Sequence, residues 1–167
     1  MNQTFKYSIK NKLVQAANDY SNLLDKKITL ASADFEYAES YTIRFFKTNF
    51  LHLTGVKTFL STELFFERCL TGTISEDDFD CDSTPERKGI VRSKMRHLPF
   101  ISSFFKQEVF VQENFQKGAI KCLIASSDGK CTLGFADAKY YVRPKTILDK
   151  NHLNKEKKIV SVVPNIQ

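Results

Sequence analysis

Three histidines, a few well-placed hydroxyls and amides, and a surplus of lysine and arginine are the groups of this chain suited to chemistry. His52 stands in "NFLHLTGV" at positions 49 to 56, where Asn49 and Thr54 also interrupt an otherwise apolar, phenylalanine-rich stretch. His97 closes the basic segment "ERKGIVRSKMRHL", and His152 lies in the polar "DKNHLNKEKK". Imidazole is the side chain that ordinarily gains and loses its proton near neutral pH, so each histidine is a candidate acid or base. The bland reading stands beside it: a histidine can equally hydrogen-bond the backbone, and His97 can cap the end of a helix as a cation. A second concentration is "KYYVRPKTIL" at 139 to 148. On a strand, Tyr141, Arg143 and Lys145 share one face, and an aromatic ring beside two cations can stack a base and hold phosphates. Pro144 assigns the segment to an edge or a strand end, leaving Lys145 and Thr146 at a rim; a charge-protected edge strand is the alternative.

Together these groups suit cleavage of RNA without a metal. That reaction needs a base for the 2′-hydroxyl proton, an acid for the departing 5′-oxygen, and cations or hydrogen-bond donors for the phosphorane. Other chemistries lack their signatures. The chain has no P-loop, no G-x-G-x-x-G, no G-x-S-x-G and no H-E-x-x-H. Cys69, Cys81, Cys122 and Cys131 form no C-x-x-C pair, which favours free buried thiols over a zinc site or a disulfide scaffold. Asp78, Asp80 and Asp82 resemble a calcium loop only superficially, since Ser83 and Gly89 occupy the positions that need Gly and Glu. No metal and no cofactor is expected.

Charge points the same way. Residues 1 to 83 carry 9 Lys and Arg against 12 Asp and Glu, whereas residues 84 to 167 carry 16 against 7. A basic half in a protein of pI about 9.1 favours an anionic partner, nucleic acid being the commonest. No apolar run reaches the roughly 18 residues of a membrane span, and "MNQTFKYSIKNKL" lacks the apolar core of a signal peptide, so a cytoplasmic protein without membrane partners is expected.

The elements that must position these groups follow from hydrophobic period. Residues 3 to 25 show helical spacing from Phe5 to Leu24, and "KITLASA" and "SYTIRFF" alternate as a hairpin. "VKTFLSTELFFERCL" reads as a second helix, and "TGTISEDDFDCD" as a solvated link. "STPE" offers Ser83 and Glu86 as a capping box with Pro85 in the first turn. In the helix that follows, Lys88, Arg92 and Arg96 fall within about 80° of one another, beside an apolar arc of Ile90, Val91, Met95 and Leu98. This rib is either a phosphate-binding stripe or the partner of Glu63 and Glu67. "FISSFFKQ" is a short helix or link, and five β-branched or aromatic segments from "EVFVQENF" to "KKIVSVVPN" follow. If Asp128-Gly129 makes a two-residue turn, Cys122 faces Phe135. The class is α+β: N-terminal helices on one side of an antiparallel sheet, in one domain over residues 1 to 167.

"FFKTNFLHLTGV" followed by a helix and "CLTGTISEDDF" resembles the N-F-x-H-L-x-G and later G-x-I-x-x-x-x-F pattern of phage and mobile-element nuclease domains. These belong to the barnase, EndoU, colicin and RelE superfamily, and the fourth phage-associated group is the most similar. With the basic helix and "YYVRPKT" the resemblance spans about residues 20 to 150. It implies a barnase-like or RelE-like fold with an RNase-like site and no metal, Asn49 and His52 entering the site from the junction and Tyr141 and Thr146 from the late strand. Pro144 is offset from the relatives' proline, which leaves the match of Thr146 open.

The expected function is a metal-independent endoribonuclease of phage or mobile-element origin, cleaving host RNA such as tRNA. His52, Arg143, Thr146 and Tyr141 are assigned to catalysis, and Asn49, Lys88, Arg92, Arg96, His97 and Lys145 to substrate. Because helix starts attract phosphate, Asn49, His52 and Thr54 are expected at one. An antitoxin or a host protein is a further expected partner. The alternative is an inactive module that binds nucleic acid or a host protein.

Overall fold

The computed structural model describes residues 4–167. Helix α1 (Phe5–Tyr20) starts where Thr4 accepts a hydrogen bond from the Tyr7 amide, and it buries Ile9, Leu13, Ala16, Ala17 and Tyr20. The reading that began this helix at residue 3 there touches a position outside the described residues. Strands β1 (Lys27–Ala31) and β2 (Ser40–Arg44) form the expected antiparallel hairpin. A 3-10 turn at Lys47–Asn49 then leads into the five-residue helix α2 (Phe50–Thr54), which Gly55 ends in the left-handed conformation. The opening motif is therefore a helix of its own. Asn49 stands at its start, His52 in its last turn and Thr54 at its end, so the three residues expected together at a helix start are spread along its length.

The second helix is also shorter than its apolar pattern. Lys57–Thr58 is a strand, β3, and helix α3 (Thr62–Thr71) begins only where Ser61 accepts from the Leu64 amide. The acidic link is ordered: β3 pairs with β4 (Phe79–Asp80), and Asp78 is buried against Arg68, 3.0 Å away. Helix α4 (Pro85–Met95) is capped by Thr84, not Ser83; the Thr84 hydroxyl accepts from the Arg87 amide at 3.0 Å. Val91, Met95 and Leu98 face the core as expected, but Ile90 is exposed. A 3-10 segment (Leu98–Lys106) leads to β5 (Val109–Lys117), β6 (Ile120–Ser127), β7 (Cys131–Asp137), β8 (Val142–Asp149), β9 (Val160–Val162) and β10 (Asn165–Ile166).

The eight-stranded sheet runs β10-β1-β2-β8-β7-β6-β5-β9 and is antiparallel except where β2 meets β8. The architecture is α+β with one large, mostly antiparallel sheet. The β6–β7 turn is wider than two residues. Asp128 Oδ1 accepts from the amides of Lys130 and Cys131, so Ile124 rather than Cys122 faces Phe135. Cys122 pairs with Phe115 instead, and all four cysteines are free and buried.

One main core joins the helices to the sheet through Tyr20, Phe45, Phe50, Phe66, Phe105 and Phe135, packed edge to face. Among the described residues, no helix is long and apolar enough to cross a membrane.

The feature that matters for function is where β2 leaves β8. The two strands share the single register pair Ile43 with Val142, whereas β7 pairs along the whole of β8. From Arg143 onward β8 thus has an edge without a strand partner, and α2 and α4 pack along it.

Candidate functional site

Two clefts open along this edge. The smaller, about 480 Å³, is lined by Phe46, Lys47, Asn49, Glu63, Tyr141 and Arg143 among others. It brings together three residues singled out from sequence: Asn49, Tyr141 and Arg143. Asn49 is buried, lines the cleft, and its Oδ1 accepts from the Phe46 amide at 3.2 Å, which fixes the turn into α2. Tyr141 packs on Phe46 at 5.4 Å between ring centroids, and the Arg44 guanidinium lies 5.7 Å from the same ring. The aromatic surface is therefore built before any ligand arrives. Lys47 is held by Glu67 at 2.6 Å, which raises its pKa.

The larger cleft, about 760 Å³, lies between α4 and the far half of β8. Thr146 lines it, with Lys94, Glu86, Asp149 and His152. Lys94 donates to Thr146 Oγ1 at 3.2 Å and to Ile147 O at 2.7 Å, so its ammonium caps a carbonyl of the open edge. Burial lowers its pKa to about 8. His152, which also lines the cleft, has Lys117 Nζ 2.5 Å from its Nδ1.

Helix α2 connects the clefts. The turn before it lines the smaller one, and its terminating Gly55 lies against Ile90 and Lys94 of the larger, close enough that a Cβ there would meet Ile90 Cγ2 at 3.0 Å. His52 is on the exposed side of this helix.

The remaining sequence candidates lie elsewhere. Lys88 and Arg92 sit over the Phe5 ring of α1 at 4.9 and 5.3 Å. Arg96 and His97 both bind Asp149, at 2.9 and 2.6 Å; the contact with His97 foremost, then Arg96, holds that carboxyl below its usual pKa. The rib thus meets Phe5 and Asp149, not Glu63 and Glu67. A bulge interrupts the ladder at Lys145: Phe135 pairs with Pro144 and Gly134 with Thr146, and the Lys145 ammonium donates to Lys121 O at 2.6 Å. Lys94 was not legible as a site residue. It follows Ile90 by four positions and precedes Met95, within the arc that reads as core. Among the described residues no group of three or more His, Cys, Asp and Glu is placed to hold a metal ion.

An α+β chain with a partly open central strand and cations beside it fits a nuclease domain, and comparison with known families agrees. A family model described as phage-Barnase-EndoU-ColicinE5/D-RelE like nuclease4 (PBECR4) matches residues 12–166, and the chain belongs to that family. No curated protein and no solved structure was found to match it.

Proposed function

We propose that the chain is a metal-independent endoribonuclease that lays RNA along the open edge of β8. The observation that carries this reading is the course of α2, which runs from the turn lining the cleft of Tyr141 and Arg143 to Gly55 beside Ile90 and Lys94 of the cleft of Thr146; His52 is exposed on this helix and lines neither cleft. In this reading His52 exchanges the proton of the 2′-hydroxyl or of the departing 5′-oxygen. Arg143 holds the scissile phosphate, and Thr146 supplies a hydrogen bond to the RNA backbone farther along the edge. Tyr141, fixed by Phe46, stacks a base, and the Asn49 amide donates to the chain. Host RNA, tRNA included, is the substrate class, and a phage or mobile element the source.

Incubation of the native protein with total RNA and with tRNA in excess EDTA tests it. Cleavage leaving 2′,3′-cyclic phosphate ends is expected, with a loss of roughly 10²-fold or more in His52→Ala. Intact RNA, or equal cleavage by the variant, overturns it.

One observation favours a second reading, a module that binds nucleic acid or a host protein without cleaving: the candidate catalytic groups are divided between two clefts. In that case RNA is retained but stays whole, or is not retained at all.

A further inference from the structure

The cleft between α4 and β8 has two features that the catalytic reading does not use. The first is an ammonium without an anion. Lys94 is half-buried and, among the described residues, bonded only to neutral oxygens, Thr146 Oγ1 and Ile147 O. Of the two carboxylates lining the cleft, Asp149 is bound to Arg96 and His97, and neither it nor Glu86 forms an ion pair with Lys94. Withdrawing a cation from water without a counter-charge is unfavourable, and an anion in the cleft would relieve it.

The second feature is Gly89, in the middle of α4 on the wall of the same cleft. Glycine in a helix interior costs stability relative to alanine. Among the described residues no packing requires it here: beyond its own turn of helix, a Cβ at Gly89 would meet nothing within 4 Å. The helix backbone is bare toward the cleft. Apolar walls flank it, from Ile90 of α4, Ile120 of β6 and Leu148 of β8.

We propose that this cleft binds one nucleotide of the RNA chain, its phosphate on Lys94 Nζ and Thr146 Oγ1 and its base over Gly89 between Ile90, Ile120 and Leu148. This deepens, and rests on, the reading of the β8 edge as the RNA track. The Thr146 oxygen accepts from Lys94, which leaves its hydroxyl hydrogen for a phosphate oxygen. The cleft volume of about 760 Å³ is within the range of small-molecule sites, roughly 300 to 1,000 Å³. Apolar walls with one cationic end match the two halves of a nucleotide.

The test is titration of the full chain with AMP, followed by backbone amide NMR shifts, with inorganic phosphate as a separate arm. Saturable shifts are expected over residues 85–94 and 146–149, with phosphate alone binding at least tenfold more weakly than AMP. Lys94→Met should weaken AMP binding at least tenfold. Gly89→Ala should weaken it at least fivefold while raising the thermal midpoint, an opposition that a purely structural role for the position would not produce. Absent shifts, shifts confined to the cleft of Tyr141 and Arg143, phosphate binding as tightly as AMP, or unchanged AMP affinity in either variant overturns the proposal. RNA cleavage is scored separately. A protein that binds AMP at Lys94 but leaves RNA intact keeps the subsite and loses the catalytic reading; one that cleaves RNA without binding AMP there loses the subsite alone.

Discussion

Lys94 is the residue whose behaviour depends most on its surroundings. An ordinary lysine keeps its proton to beyond pH 10, but burial brings this one down to about 8. Because the shift is downward, the ammonium is present below that value and lost as pH rises through it. The other charged or titratable groups facing the cleft are Glu86 of α4, Asp149 of β8, and His152, which has Lys117 against it. AMP affinity is expected to change little from pH 7 to about 8 and to fall by up to about tenfold per unit above it, measured by the same amide shifts; an affinity flat to pH 10 would remove Lys94 from the contact. At this scale the sequence was informative where a residue type is rare in its setting. His52 amid leucines and Tyr141 with Arg143 were singled out by their neighbours, and the latter two share one cleft. The cationic rib of α4 was equally visible, but its partners come from distant segments, Phe5 and Asp149, which no spacing rule connects.

Among elements, local hydrogen-bond competition decided most boundaries. Ser83 and Thr84 are both competent caps, and periodicity cannot choose between them. The structure commits Ser83 to Asp80, whose Oδ1 accepts its amide at 3.0 Å, and leaves Thr84 to the helix. Thr84→Ala is therefore expected to cost about 1 kcal/mol in urea denaturation, and a neutral result would return the cap to Ser83. The β6–β7 register was misread for a related reason: Asp128 binds two amides and widens the turn, shifting every pair beyond it. The resulting alignment places Gly134 where a side chain would collide with Cys122, its Cβ only 2.5 Å from Sγ. Gly134→Ala should destabilise by roughly 1 to 3 kcal/mol, and Cys122→Ala in the same chain should recover part of that, because the clash is with the thiol. Long alternating strands and the amphipathic α1 were legible because their signal is repeated many times. The two-residue strands β3 and β4, and the split between β2 and β8, have too few residues to leave a period.

For the whole molecule the question is how a net charge of +6, concentrated in the second half of the sequence, acts on an anionic chain. Four cations of that half have partners within the protein: Lys88 and Arg92 lie over Phe5, Arg96 pairs with Asp149, and Lys145 donates to a carbonyl of β6. Among the described residues, the cations that line the two clefts of the β8 edge are Arg143 and Lys94, with Lys47 shared with Glu67. Two to three phosphate contacts on single-stranded RNA predict that log affinity falls against log salt with a slope of about −1.4 to −2.1, each contact contributing ~0.7. Glu63, an acid on the wall of the smaller cleft, opposes the same phosphates. Glu63→Gln should therefore tighten RNA binding two- to fivefold at low salt, an advantage that shrinks as salt screens it. A host-protein partner held through apolar surface would show neither the slope nor the gain. Measuring both on one salt series with a short RNA thus separates the track along β8 from a protein-binding face, and a slope near zero for native protein would decide against RNA altogether.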